Sequence, residues 1–209
     1  MNLESGEVRM ADKYVKYSLT RNNNVIDMDS NIAVLVYYNN VAAGVPDRSS
    51  QFYYNSDYNN YSVLGPQNAV LELPTTSQWK NVKLTNSIRN IEDDTGTVRI
   101  PNFSYGGYAA RLLTIQEVSK ACGISLDPNS SRDNRSLANC NYFVENTTYA
   151  HSNNATYGYW LESLTSSQST MDSWVVYNYA FTGESNNYYN KMITGIRPVI
   201  EVPKSDILY

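Results

Sequence analysis

The feature that most restricts how this chain can fold is the brevity of its apolar runs. Residues 32–38 are continuously apolar but are closed on both sides by Asn31 and Asn39, so they read as a short buried strand. No stretch approaches the roughly 20 apolar residues that a membrane-spanning helix needs. Further short strands are expected at 13–19, followed by a turn at 22–24, and at 157–161, 173–179 and 196–202. In the last of these, Val199, Ile200, Glu201 and Val202 alternate as a half-exposed terminal strand should. Residues 44–66, punctuated by Pro46, Asp47 and Gly65, read as loop, and so does the chain after Gly123 around Asp127 and Pro128.

Two segments carry the grammar of a helix start. Thr114 with Glu117 three residues later is a capping box, followed by Val118, Ala121 and Cys122 as the expected buried stripe and Gly123 as the stop. Thr75 with Gln78 repeats the spacing more weakly, and places Trp79 and Val82 on one face. Both helices should be about ten residues long. With no linker and no fixed-period repeat, the 209 residues are expected to form one α+β domain with two short helices, small mixed sheets and extensive loops. A chain of this length can bury roughly 70% of its unfolded surface.

Composition then narrows the function. Charged residues make up only 17% of the chain, with 16 Lys+Arg against 20 Asp+Glu, and no basic run offers a nucleic-acid footprint. The polarity is neutral instead, carried by 26 Asn and 19 Tyr that are unevenly spread. One cluster is Tyr37, Tyr38, Asn39 and Asn40, and a second runs from Tyr53 to Tyr61. A third holds Tyr177, Asn178, Tyr179, Asn186, Asn187, Tyr188, Tyr189 and Asn190. Tyr gives amphipathic contact area with few rotatable bonds and Asn gives adaptable hydrogen bonding, the mixture found in antibody binding surfaces. The same mixture also suits strands joined by Asn-rich turns.

Reactive constellations are hard to assemble. His151 is the single histidine and has only Ser152 and Asn153 beside it, so neither a nucleophile triad nor a closed zinc site can be built. Asp27, Asp29 and Asn31 open like a calcium loop, but Ile32 stands where the turn needs Gly and Tyr38 where a bidentate Glu belongs. They read as an Asx-rich turn. Glu92, Asp93 and Asp94 before Thr95 and Gly96 read as a solvated turn rather than an acid–base pair. No metal or cofactor is expected. Cys122 and Cys140 are either two buried thiols or one bridge, and an exported protein with a Cys122–Cys140 disulfide is the preferred reading. The N-terminal residues lack the apolar core of a signal peptide, so an extracellular or cell-surface protein would have lost its leader or anchor.

Several segments resemble a known fold family. Residues 110–118, around Arg111, Thr114 and Glu117, look like the helix start of the formylglycine-generating-enzyme type of C-type-lectin-like fold. Gly195, Ile196, Arg197 and Pro198 look like its closing strand. Residues 157–163 and 174–176 resemble strands of gut-bacterial surface proteins, often pilin-like, that end in a similar segment. The resemblance covers 70–203, with 1–69 as preceding strands and loops. It implies a C-type-lectin-like scaffold framed by Trp160, Trp174 and Arg197.

Members of that fold include variable proteins of diversity-generating retroelements, in which AAY codons near the C-terminus are rewritten. Such codons yield Asn, Tyr, Ser, Asp, Thr or Ile but not Trp, Gln, Glu, Lys or Met. By that resemblance the ligand-binding set is Ser167, Asp172, Tyr177, Asn178, Tyr179, Asn186, Asn187, Tyr188, Tyr189 and Asn190, interspersed with fixed positions such as Gln168, Met171 and Lys191. The lectin calcium signatures are absent, and no late Cys pair of the oxidase branch is present. The expected function is therefore non-enzymatic recognition of a host or bacterial surface protein or a glycan. The alternative is a structural subunit of a pilus or surface assembly, favoured by the Tyr53–Tyr61 cluster. A formylglycine-type or other enzyme comes third.

Overall fold

A computed structural model of the chain describes residues 17–18, 25–27, 31–36, 54–55, 64–80, 82–123, 135–136, 158–166, 173–177, 180–184 and 195–208. Within these, short helices accompany small, mostly antiparallel sheets, an α+β arrangement. The apolar run expected near residue 32 is strand β3 (Ile32–Val36), the centre of a three-stranded sheet between β2 (Val25–Asp27) and β10 (Val199–Pro203). Successive residues Ala33 and Val34 are both buried, which is why this segment lacks polar alternation. Asp27 ends β2 opposite Ala33, so the calcium-like run falls in a hairpin connection. A parallel pair, β1 (Tyr17–Ser18) with β11 (Ile207–Leu208), also joins the two ends of the chain.

Strand β10 corrects one expectation. Val199, Ile200 and Val202 are all buried, and the Glu201 side chain is only 6% exposed, so the strand is not half-exposed. Its single carboxylate is turned inward to an arginine.

Strands β4 (Ile88–Glu92) and β5 (Val98–Ser104) form a hairpin where only a turn was expected. The turn itself is not solvated in the way the sequence suggests. Asp93 is buried, and its Oδ1 accepts from Thr95 N at 2.9 Å, Thr95 Oγ1 at 2.6 Å and Thr97 N at 3.0 Å, while Oδ2 receives Arg99 Nε at 2.6 Å. Local hydrogen bonds replace the water that the carboxylate has lost.

Helix α1 (Gln67–Leu71) follows Pro66 and has no side-chain cap, so nothing in the sequence announces it. It is held by packing: Ala69 and Val70 enter the core, and Gly65 beside it has φ +71° with Ile91 and Phe103 at 3.0 Å from where a Cβ would stand. Helix α2 (Ile115–Cys122) has the complete capping box, Thr114 Oγ1 accepting from Glu117 N at 3.1 Å and Glu117 Oε2 accepting from Thr114 N at 2.9 Å. Gly123 closes it at φ 62°. Its buried face is Ile115, Glu117 and Val118; Ala121 is exposed and Cys122 half-buried, so the expected stripe is shifted by one side of the helix.

The helix expected from Thr75 is a single turn. Gln78 does reach back to Thr75 N at 2.8 Å, but Thr75 Oγ1 bonds Ser77 Oγ and Gln78 Oε1 instead of a helix N–H, and Thr75 bridges Tyr108 as a strand residue. Trp79 and Val82 are nevertheless both buried.

Among the described residues the largest sheet is antiparallel, in the order β6 (Arg135–Ser136), β9 (Ala180–Glu184), β8 (Ser173–Tyr177), β7 (Gly158–Leu164). Strand β7 outruns its expected end at 161 because Glu162 and Ser163, polar in sequence, are each 1% exposed. Ile91, Tyr105, Leu112, Trp160, Leu164 and Val175 share one core cluster, which ties this sheet to the β4–β5 hairpin and the approach to α2.

Candidate functional site

The segments that carried the family resemblance lie far apart in sequence but meet in space. Arg111 and Val199 exchange backbone hydrogen bonds at 2.9 and 3.0 Å, Glu162 N donates to Leu113 O at 2.7 Å, and Trp160 N donates to Gly195 O at 3.1 Å. Trp160, Trp174 and Arg197 are all buried, and the Arg197 guanidinium lies 5.4 Å from the centre of the Tyr159 ring.

At this junction sits a buried ionic cluster that the sequence reading missed. Arg111 clamps Glu117 through two bonds, Nη2–Oε1 at 2.5 Å and Nη1–Oε2 at 2.9 Å, and gives Nε to Glu201 Oε1 at 2.7 Å. Glu201 Oε2 also accepts from Thr85 N at 2.8 Å. Burial is the largest single influence and pushes both carboxyls up, but the Arg111 charge and hydrogen bonds, the backbone N–H of Thr114 or Thr85 and the Arg89 charge together hold each below the ordinary carboxylate range.

Glu162 is held differently. Arg89 Nε approaches its two oxygens at only 3.3 and 3.4 Å, and Tyr105 Oη donates to Oε2 at 2.7 Å. Here burial wins over Arg89 and Arg111 and lifts the carboxyl above its ordinary range. Tyr54 Oη donates to the Glu162 carbonyl at 2.7 Å. Burial and then the Glu162 charge push the phenols of Tyr54 and Tyr105 well above the ordinary value. One signal could have exposed the cluster: Arg111, Glu162 and Glu201 are lone charges inside apolar runs of a weakly charged chain.

Among the described residues, three buried polar side-chain atoms lack a hydrogen-bond partner: Thr165 Oγ1, Ser173 Oγ and Trp174 Nε1. All are neutral, and all lie at one end of the β7–β8 pair, where Leu164 faces Ser173 and Ser173 faces Glu184. Asp94 Oδ1 reaches the same end, accepting from Ser166 N at 2.5 Å.

The strand register locates the attachment points of the expected ligand surface. Ser167 and Asp172 fall between β7 and β8, and Asn186, Asn187, Tyr188, Tyr189 and Asn190 follow β9, so both stretches leave from the Ser173 end. Tyr177 closes β8 opposite Gly158 and Ala180, about 13 Å away at ~3.3 Å per residue. The chain re-enters at Gly195, beside Tyr159, on the edge of β7 that faces away from β8. Glu184 and Gly195 are thus set three strand positions apart across the sheet, a lateral separation of about 14 Å.

The side chain of Tyr177 and all of Ser167, Asp172, Asn178, Tyr179, Asn186, Asn187, Tyr188, Tyr189 and Asn190 lie outside the described residues, as do His151 and Tyr37–Asn40. Of the Tyr53–Tyr61 cluster, Tyr54 and Asn55 are described and both are buried. No free cysteine occurs among the described residues; Cys140 lies outside them. No group of His, Cys, Asp or Glu among the described residues is placed to hold a metal. No known protein family, curated protein or solved structure matches the chain.

Proposed function

We propose that this chain is a non-enzymatic recognition protein of the cell surface, with a C-type-lectin-like scaffold presenting a Tyr/Asn/Ser-rich C-terminal surface to a glycan or a surface protein. The observation that carries this reading is a contrast at the end of the β7–β8 pair. The charged side chains of the junction all have hydrogen-bond partners within it, whereas the polar atoms left without partners, Thr165 Oγ1, Ser173 Oγ and Trp174 Nε1, are neutral. They lie where the stretches holding Ser167, Asp172 and Asn186–Asn190 attach. A surface built there would grip by stacking and neutral hydrogen bonds, with aromatic anchors supplying most of the energy. Of the cluster that favours the alternative, a self-assembling subunit, Tyr54 and Asn55 are buried and so do not offer subunit contacts, while its other Tyr and Asn residues lie outside the described ones.

The test is a binding array of glycans and surface proteins, run with and without EDTA. The expected result is a ligand bound equally in both conditions and lost by about 1–3 kcal/mol in Tyr188→Ala or Tyr189→Ala. Turnover of a glycosidic or sulfated substrate by the purified chain would overturn the proposal. If the window is diversified, the neighbouring genome should hold a reverse transcriptase and a near-copy of the 157–197 coding region.

A further inference from the structure

The buried cluster contains three carboxylates and two guanidiniums, so one negative charge has no full counterion. The contacts identify which. Arg111 gives short, two-point bonds to Glu117 and a third to Glu201, while Arg89 divides itself between Glu162 at 3.3 Å and Glu201 at 3.5 Å. Arg89 is also 22% exposed, so water screens part of its charge, whereas the Glu162 side chain is 2% exposed.

We propose that Glu162 is a proton-binding site built into the frame, which takes up a proton as its surroundings acidify and thereby releases Arg89 to Glu201. Four groups act on its carboxyl, Arg89 from β4, Tyr105 after β5, Arg111 before α2 and Glu117 on α2, while Tyr54 donates to its backbone carbonyl and Glu201 on β10 shares Arg89 with it. Arg89 and the Tyr105 hydroxyl favour the charged form, as does Arg111. Burial and the neighbouring Glu117 charge oppose it, and burial is the largest of these influences. A neutral Glu162 needs no counterion, so the cluster then balances, with Arg111 and Arg89 against Glu117 and Glu201.

The sign of the stability effect follows. The folded chain holds the Glu162 proton more tightly than the unfolded chain does. The stability this adds is complete below the ordinary carboxylate range and is lost as pH rises through the raised value. Glu117 and Glu201 act in the opposite sense: their stabilisation is present above the ordinary range and is lost as pH falls through their lowered values. The cluster is therefore most stabilising in the window between, on the acidic side of neutrality.

The experiment is thermal unfolding of the full chain from about pH 4 to about pH 8, comparing the parent with Glu162→Gln and Tyr105→Phe. The parent should lose melting temperature as pH rises toward neutrality. Glu162→Gln, neutral at every pH, should lack that loss and match or exceed the parent at the upper end. The difference between the two isolates Glu162 from Glu72, whose carboxyl burial also raises. Tyr105→Phe removes a bond to the charged form and should move the parent's inflection to higher pH.

Parallel pH profiles for the parent and Glu162→Gln would overturn the proposal. Should Glu162→Gln fail to fold, the backbone-assigned 13C resonance of the Glu162 carboxyl in the parent decides the matter. A midpoint above the ordinary carboxylate range supports the proposal, and one within or below that range refutes it.

Discussion

Tyrosine is common in the frame around Glu162 and in the segments attached to it, but its neighbours differ. In the frame, Tyr54, Tyr105 and Tyr159 are fully buried, and each meets a definite group: the Glu162 carbonyl, the Glu162 carboxylate and the Arg197 guanidinium. Tyr54 also packs edge-on against Trp160 at 5.8 Å. In the segment that follows β9, residues 185–191 contain no aliphatic side chain that could share a core with Tyr188 and Tyr189. Composition counts both sets alike. What orients a tyrosine is whether the chain around it supplies apolar contact and a partner for its hydroxyl.

This difference can be broken most forcefully from the frame side. Arg111→Ala should leave Glu117 buried without a counterion and Glu201 with only its 3.5 Å contact to Arg89, and cost about 3–5 kcal/mol, enough to unfold a domain of ordinary stability. Denaturant titration would measure it, and a loss below about 1 kcal/mol would mean that water reaches the cluster. The next largest effect concerns the proposed Cys122–Cys140 bridge. Thiol titration of the non-reduced, denatured chain should find no free thiol, and reduction should cost about 3 kcal/mol in the chain-entropy picture. Two free thiols would remove the bridge and with it the main argument for export.

The parts of the fold legible in sequence are those whose signals are local. The Thr114–Glu117 box and Gly123 define α2 because caps act over three or four residues, and the run near Ile32 defines β3 because burial on both faces leaves no polar residue to confuse it. Illegible parts are settled by distant partners. Helix α1 has no cap and exists through packing against Ile91 and its neighbours. The extension of β7 through Glu162 looks polar until Arg89 and Tyr105 arrive from residues 73 and 57 positions away. The β4–β5 hairpin was hidden for a different reason: the partners of Asp93 are local, Thr95, Thr97 and Arg99, but three adjacent acidic residues read as a surface turn until that turn closes around one of them. Of the candidate site, the sequence indicated the polar stretches, and the strand register adds where they attach.

The smallest expected effect lies on the segment side, and it bears on the central claim. Tyr177→Ala, Tyr179→Ala, Tyr188→Ala and Tyr189→Ala should each change unfolding stability by no more than about 0.5 kcal/mol, as substitutions away from the core do. Equilibrium denaturation of these four variants beside the parent is therefore the most direct measurement. Near-coincident curves are predicted for a surface carried on an independent frame. Losses of about 3 kcal/mol or more in all four would place those rings in the core and contradict it.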